Sequence, residues 1–448
     1  MSFYVRTETL CSKSSVCKSG WIAIKMVSLH QCLFLPVLGV TLVTLDRDVT
    51  FLHSESMHFH VLGLGPVGSL LAHNLRRILP YTHNVSLILK DPIPTSPEKH
   101  IIKVDTFGST TASEGYLLEG FENAEQQGGN RARNLMQIQS LFVTLKAQHT
   151  VTVLKSLTYR LSANSTIVLM QNGMGMYEQL IRDVFRNPSQ RPQFILASNT
   201  NGVFAIQPFH VVHAGLGSID FGIIPDSKGR QYEAGLEDVS TPIPLRRLRL
   251  SDITSPADVD SARYTSLRDT VAALLLLEPL SPSWKTYAEL QLIMRRKLVV
   301  NAAINPLTAI MGCRNGQLAR LPSGSNIIDK ICWEASLVFA AEMMRDSKLW
   351  LEDMNFRGVE TKDVTLPSLP RSLSASSLTE EVLRVAELTK NNVSSMLQDV
   401  RRGRYTEIDY INGYLINLGQ ELGVRTPFNT ALKDLVKLRY TVPLDQIQ

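Results

Sequence analysis

The stretch FHVLGLGPVGSLLAHNLRRI, Phe59 to Ile78, constrains the fold of this chain more than any other. A short apolar run, Phe59 to Leu64, enters the triplet Gly63-x-Gly65-x-x-Gly68, and apolar residues then recur at helical spacing at Leu70, Leu71, Leu75 and Ile78. Strand, glycine turn and helix in that order are the setting that a dinucleotide-binding turn requires. Glycines permit the tight turn and let the backbone approach a pyrophosphate. The helix N-terminus offers free N–H groups and the positive end of its dipole. Gly63, Leu64, Gly65, Pro66, Val67 and Gly68 are therefore the candidate cofactor-binding turn. An ordinary glycine-rich strand-to-helix connection is the alternative reading of the same residues.

Further strands follow. VSLILK, residues 85 to 90, ends in Lys90, at the tip where an adenosine ribose lies in such folds. A cation there suits a 2′-phosphate, which points to NADPH, although Asp91 stands beside it. After an insert rich in Gly, Asn and Gln (108–132), LFVTLKAQHT reads as a buried strand ending at Lys146, and TIVLMQNGMG as another that breaks at Asn172-Gly173. Segments 194–205 and 211–224 read as antiparallel strands. Residues 225–262 are polar and rich in Pro and Arg, which predicts an inserted loop, and 265–277 returns to helix. This gives an α/β domain over 57–284.

From about Lys285 to the C-terminus the pattern is helical, a second domain over 285–448. Its first long helix contains KLVVNAAINP and is expected to end or kink near Pro306, which lacks an N–H. A second helix is expected over 327–345, loop over 353–378, and a helix from about Thr406, with Thr406 as its cap and Asp409 as the third-position acid. Lys297, Asn301 and Asn305 are spaced i, i+4, i+8, so they drift only about 40° per step and share one stripe of an otherwise apolar helix. In a cleft between the two domains, a lysine there can protonate a carbonyl oxygen as it becomes an alkoxide, and two amides can hold polar substrate groups. A lysine that snorkels to solvent and asparagines that satisfy backbone near Pro306 explain the spacing equally well.

The bulk properties exclude little but are consistent. The 448 residues are 44% apolar and 19% charged, with a net charge of +5 spread along the chain, which argues for no nucleic-acid groove. Five cysteines form no CxxC pair and no histidine cluster has metal-ligand spacing, so no metal is expected. Residues 1–56 differ from the rest. Within them MVSLHQCLFLPVLGVTLVTL (26–45) carries no Asp, Glu, Lys or Arg. An organellar presequence, a membrane anchor and an upstream extension of the start site compete for this leader, and Met57 stands just before the first strand.

GLGPVG, LFVTLKAQHT, QNGMG, KLVVNAAINPLTA and SSMLQDVRRGRYTEIDYINGY, in this order, resemble the ketopantoate reductases (2-dehydropantoate 2-reductases) in their fungal form. The resemblance spans about Phe59 to Leu438, apart from inserts near 108–132, 225–262 and 353–385. It implies a Rossmann-like domain followed by a helical domain of the 6-phosphogluconate dehydrogenase C-terminal type. It also implies NADPH-dependent reduction of 2-dehydropantoate to pantoate, a step toward pantothenate and coenzyme A. It assigns Lys297 as general acid and Glu407 as its orienting carboxylate. Asn301, Asn305 and Ser395 become substrate ligands, and Asn172 touches both substrate and cofactor. Gly63 to Gly68, Lys90 and Lys146 would hold NADPH. The family usually has arginine where this chain has Lys90, and lysine keeps the charge but loses the bidentate fork. A cytoplasmic enzyme acting on a small 2-keto acid is the expectation, with a mitochondrial location and a homodimer left open. Two alternatives also stay open: a reductase of another 2-keto acid, and a non-catalytic organellar binding factor of the same fold.

Overall fold

In the computed structural model, which describes residues 56–90, 101–120, 137–226, 228–361 and 364–442, the run HFHVL forms β1 (His58–Leu62), buried along its whole length. The glycine turn follows, then α1 (Pro66–Ile78), β2 (Asn84–Leu89), β3 (Ile102–Thr106), β4 (Ser109–Ser113) and β5 (Leu117–Gly120). Next come β6 (Ser140–Val143), α2 (Ala147–Leu157), β7 (Thr166–Leu169), α3 (Met176–Asp183) and β8 (Gln193–Asn199). The α/β half closes with β9 (Gly202–Gln207), β10 (His210–Gly215), β11 (Ile219–Ile223), α4 (Ser261–Leu275) and β12 (Pro282–Trp284).

Eight strands form the main sheet in the order β12-β11-β8-β7-β6-β1-β2-β5. All neighbours are parallel except β8 and β11. Parallel strands covered on both faces must be apolar nearly throughout, as SLFV and TIVL are. β3, β4, β9 and β10 form a smaller sheet in the order β4-β3-β10-β9. The first part of the expected 108–132 insert is thus strand, and 121–136 lie outside the described residues. Residues 225–262 are not loop alone, since short helical turns form at Ala234–Glu237, Ile243–Leu245 and Leu250–Ile253. Units of three or four residues are too short to show an apolar period.

β1 also carries two buried histidines that the strand pattern does not ask for. His58 Nε2 lies 2.6 Å from Ser86 Oγ, and His60 Nε2 lies 3.4 Å from Glu119 Oε1. Non-adjacent in sequence, His58, His60 and Glu119 have ligand-type atoms within 4.8 Å of one another. Arg160 donates to Glu119 at 2.6 Å and lies 3.3 Å from His60, so a guanidinium already supplies the positive charge there.

The helical half consists of α5 (Tyr287–Met311), α6 (Pro322–Phe356), α7 (Ala375–Leu388), α8 (Ser395–Arg401), α9 (Asn412–Glu421) and α10 (Pro427–Thr441). α6 is longer than the expected 327–345 because its exposed C-terminal turns need no apolar stripe. α5 starts with a capping box between Thr286 and Glu289 and ends at Gly312, φ +66°. It does not stop at Pro306. Proline removes the N–H that would bond the carbonyl four residues back, at Ala302. Asn412 Nδ2 replaces it, donating to Ala302 O at 3.0 Å. Asn412 is wholly buried and donates also to Asn429 Oδ1 at 3.0 Å, while Asn429 Nδ2 donates to Glu334 Oε2 at 2.7 Å. Helix formation at Thr406 is likewise corrected: a 3₁₀ turn at Ile408–Tyr410 comes first and α9 begins only at Asn412.

Residues 1–55 lie outside the described residues, and with them the leader and its three readings. Among the described residues no helix is long and apolar enough to cross a membrane.

Replacing Asn412 by leucine strands the Ala302 carbonyl and the Asn429 amide in a dry interior. Each such group costs about 1–3 kcal/mol. Urea unfolding of Asn412→Leu is expected to show a loss of about 2–4 kcal/mol; a loss below about 0.5 kcal/mol would rule out this repair of the proline break.

Candidate active site

Two glycine turns bring the polar groups together. In the first, Gly63 has φ +96°, and a Cβ on Gly68 would overlap the Gly63 carbonyl. Around Gly65 no atom lies within 4 Å of where a Cβ would stand, so the turn is open on the side a pyrophosphate needs. Gly65 caps the 13-residue α1 without a side chain, leaving the leading N–H groups for an anion.

The second turn is QNGMG. Gly173 and Gly175 have φ +88° and +89°, and a Cβ on Gly173 would overlap the Tyr410 carbonyl. Met174 N donates to Tyr410 O at 3.0 Å. This close approach sets Asn172 against Glu407: Asn172 Nδ2 donates to Glu407 Oε2 at 3.4 Å, and Ala147 N, the first residue of α2, donates to Oε1 at 3.2 Å. These ties from the α/β half explain why no helix starts at Thr406. Burial pushes the Glu407 carboxyl up, against the Ala147 N–H, the Lys146 ammonium and the Asn172 amide, with Asp399 adding to the rise.

Lys146 does not end a strand. β6 stops at Val143, and Lys146 is the N-cap of α2, where its ammonium pairs with Asp399 of α8. Burial pushes the Asp399 carboxyl up, and Lys146 opposes that. Lys90 stands exposed just beyond β2.

Lys297 is half-buried on α5, and its Nζ donates to the Asn199 carbonyl at the end of β8, 2.7 Å away. Burial brings the ammonium down to about 8, opposed first by Glu407 and then by Asp220. Asn301 is half-buried and Asn305 buried on the same helix. In the pair Ser394-Ser395 the two hydroxyls have different environments. Ser394 is buried and caps α8: its Oγ accepts from Leu397 N at 3.1 Å and lies 2.7 Å from Thr308 Oγ1. Ser395 is exposed and faces a cavity of about 480 Å³.

Val67, Asn172, Asn199, Phe204, Ser395 and Gln398 are among the residues that line this cavity. It therefore runs from the first glycine turn to the start of α8. Lys297, Asn301, Asn305 and Glu407 are not part of its wall in this conformation, although Asn199, whose carbonyl accepts from Lys297, is. A groove of about 520 Å³ elsewhere, between α6 and the 364–373 segment, holds none of the expected site residues. Sequence reasoning missed Asp220, Asp399 and the Asn199 carbonyl. Asp399 lies inside the quoted SSMLQDVRR motif, whereas neither Asp220 nor a backbone carbonyl carried any local signal.

Ser394→Ala removes a buried cap and is expected to cost about 1 kcal/mol in chemical unfolding, whereas Ser395→Ala should cost about nothing. Equal losses would show that both hydroxyls are structural.

Comparison with known proteins agrees with this geometry. The family described as "Ketopantoate reductase PanE/ApbA" matches residues 59–226, and "Ketopantoate reductase PanE/ApbA C terminal" matches 289–440. A probable 2-dehydropantoate 2-reductase of Schizosaccharomyces pombe is 27% identical over 393 residues, covering 85% of this chain and 95% of the relative. The 2-dehydropantoate 2-reductase of Escherichia coli O157:H7 is 30% identical over 297 residues, 66% of this chain and 73% of the relative. Among solved structures, 2-dehydropantoate 2-reductase from Methylococcus capsulatus superposes with a TM-score of 0.58 at 18% identity, over 87% of this chain and 99% of that one. A complex of D-mandelate dehydrogenase with NADH gives 0.55 at 16% identity, over 86% and 99%. A dimeric ketopantoate reductase from Staphylococcus aureus gives 0.53 at 15% identity, over 86% and 99%. These structural likenesses concern the fold. Together with the family match and the sequence relatives, they lead to one conclusion: the chain belongs to the ketopantoate reductase PanE/ApbA family of oxidoreductases.

Proposed function

We propose that the chain reduces 2-dehydropantoate to pantoate with NADPH, using Lys297 as proton donor. The observation that carries this reading is the enclosed ammonium on the Asn199 carbonyl, with a buried carboxylate, Glu407, as the chief opposing charge. The open Gly65 and the uncapped start of α1 fit a dinucleotide pyrophosphate. Gly63, Leu64, Gly65, Pro66, Val67 and Gly68 would form that cradle, and Lys90 and Lys146 would meet the phosphates. Two cations on that side favour NADPH over NADH. When bound, the nicotinamide supplies a hydride to C2 of the substrate.

Every other part of the reaction belongs to the chain's own residues. Lys297 has three N–H donors; one is held by Asn199, which leaves others for the C2 oxygen. As that oxygen gains negative charge, Lys297 transfers it a proton. Glu407 favours the charged ammonium before transfer, and Asn172 and the Ala147 N–H hold Glu407 in place. Ser395 would donate to the substrate carboxylate from the cavity wall, and Asn301 and Asn305 would bind the hydroxyl and carboxylate ends once the substrate draws the two halves together. A cytoplasmic location, with a mitochondrial one as the alternative, and a homodimer belong to the same reading, the latter supported by the dimeric Staphylococcus aureus protein. Reduction of another 2-keto acid is the second reading; the cavity wall mixes apolar Met170 and Phe204 with the amides of Asn172, Asn199 and Gln398 and so does not single out one acid.

A substrate panel with NADPH oxidation as readout tests the proposal, and turnover confined to a different 2-keto acid would change the substrate but keep the mechanism. Lys297→Ala is expected to lower kcat/KM by about 10²–10⁴. A rate near wild type would remove its role as acid.

The pH profile follows from the same groups. A proton donor must be protonated, so kcat/KM should fall as pH rises through about 8. Glu407 must be ionised, and its pKa is raised, so the acid limb should lie above the ordinary carboxylate range. A profile flat from about pH 6 to 10 would contradict the Lys297 assignment, and an acid limb within the ordinary carboxylate range would contradict that of Glu407.

A further inference from the structure

We propose that Asp220 is a positioning residue for the proton donor: with the Asn199 carbonyl, its carboxylate steadies the Lys297 ammonium as a cation on the β8–β11 side of the cleft. The inference rests on the reading of Lys297 given above and extends it to a residue of the other half of the chain.

The geometry begins with the sheet. β8 and β11 are antiparallel, with Asn199 opposite Ile219 and Ser198 opposite Asp220. Asp220 is therefore one residue along from the strand end whose carbonyl takes the lysine bond. Side chains two apart on a strand share a face, so Asp220 and Gly222 project the same way. At Gly222 a Cβ would stand 3.1 Å from the Leu290 side chain and 3.1 Å from the Lys285 carbonyl. That face of β11 therefore lies directly under the start of α5. Stepping back from Gly222 to Asp220 moves about 6.6 Å along the strand, and Leu290 to Lys297 is about 10.5 Å along the helix. The four-carbon lysine stem spans the difference. Ser218 Oγ donates to Asp220 Oδ2 at 3.0 Å and fixes the carboxylate.

Among the described residues, the charged groups that act on Lys297 are Glu407, from the segment before the 3₁₀ turn, and Asp220, from β11. They have different surroundings. Glu407 is buried, and its oxygens already accept from Ala147 and Asn172. Asp220 is only half-buried. Two carboxylates from opposite halves thus act on one ammonium across space, and the cleft gains a counter-charge that does not depend on the helical domain.

The test compares Asp220→Asn, which keeps the shape, with Asp220→Glu, which keeps the charge, both in the full chain. Two readouts are used: the pH profile of kcat/KM with whichever 2-keto acid turns over, and competitive acetylation of Lys297 by acetic anhydride, read by mass spectrometry across pH. In Asp220→Asn, removing the charge is expected to move both the basic limb and the labelling midpoint down by about half to one pH unit. The rate loss should then grow with pH, reaching about three- to tenfold above pH 8. Asp220→Glu should restore most of both.

An unmoved labelling midpoint in Asp220→Asn overturns the proposal. So does a loss that is equal at every pH and shared by both variants, which would mean packing. Full activity in Lys297→Ala, or no turnover of any 2-keto acid by the unaltered chain, counts instead against the function proposed above. Labelling then still decides whether Asp220 acts on Lys297.

Discussion

A buried carboxylate joins the two halves of this protein. Glu407 comes from the helical half, yet its two oxygens accept from the Ala147 N–H at the start of α2 and from the Asn172 amide beyond β7. A charge taken out of water must be paired or hydrogen-bonded. Its partners here are the groups that follow the carboxyl ends of two parallel strands, where α/β folds place their ligands. The need to satisfy Glu407 therefore also aligns the helical half over the glycine turn. Lys146 and Asp399 add a second tie at the same seam. Gly173 lets the backbone of the second turn touch Tyr410, which no larger residue would allow.

The polar stripe of the long helix depends on a different repair. α5 carries Lys297, Asn301 and Asn305, and a proline follows in the next position of the chain. Left alone, Pro306 would orphan the Ala302 carbonyl and weaken the helix where its register matters most. The chain Glu334–Asn429–Asn412 supplies the missing donor from three other helices. A buried polar network of this kind specifies one arrangement, because any shift leaves a group unsatisfied in a dry interior.

Much of the α/β half could be read from residues. β1, the glycine turn and α1 are local: apolar runs, glycines and helical spacing act within 20 residues of one another. The same is true of β2, β7 and α4, and of α5 up to Asn305. Local preference gives way where distant groups override it. Thr406 and Asp409 have the letters of a capping box, but Glu407 and Tyr410 are held by the α/β half, and the helix starts later. LFVTLK looks like strand to its end, yet Lys146 already caps α2. The short turns between 225 and 262 have too few residues to reveal a period.

Sequence alone determined the fold class, the position of the first glycine turn and the shared stripe of Lys297, Asn301 and Asn305, because each rests on a repeat of the backbone: 2.0 residues in a strand, 3.6 in a helix. It also contained the motifs that resemble the family. Only the tertiary structure decided what the lysine touches, which of two adjacent serines caps a helix and which faces the cavity, and that Asp220 lies beneath α5. Those facts depend on hydrogen bonds and charges between residues as many as 260 positions apart, as between Ala147 and Glu407. No local rule of spacing reaches that far, since such contacts exist only after the sheet and the helices have packed.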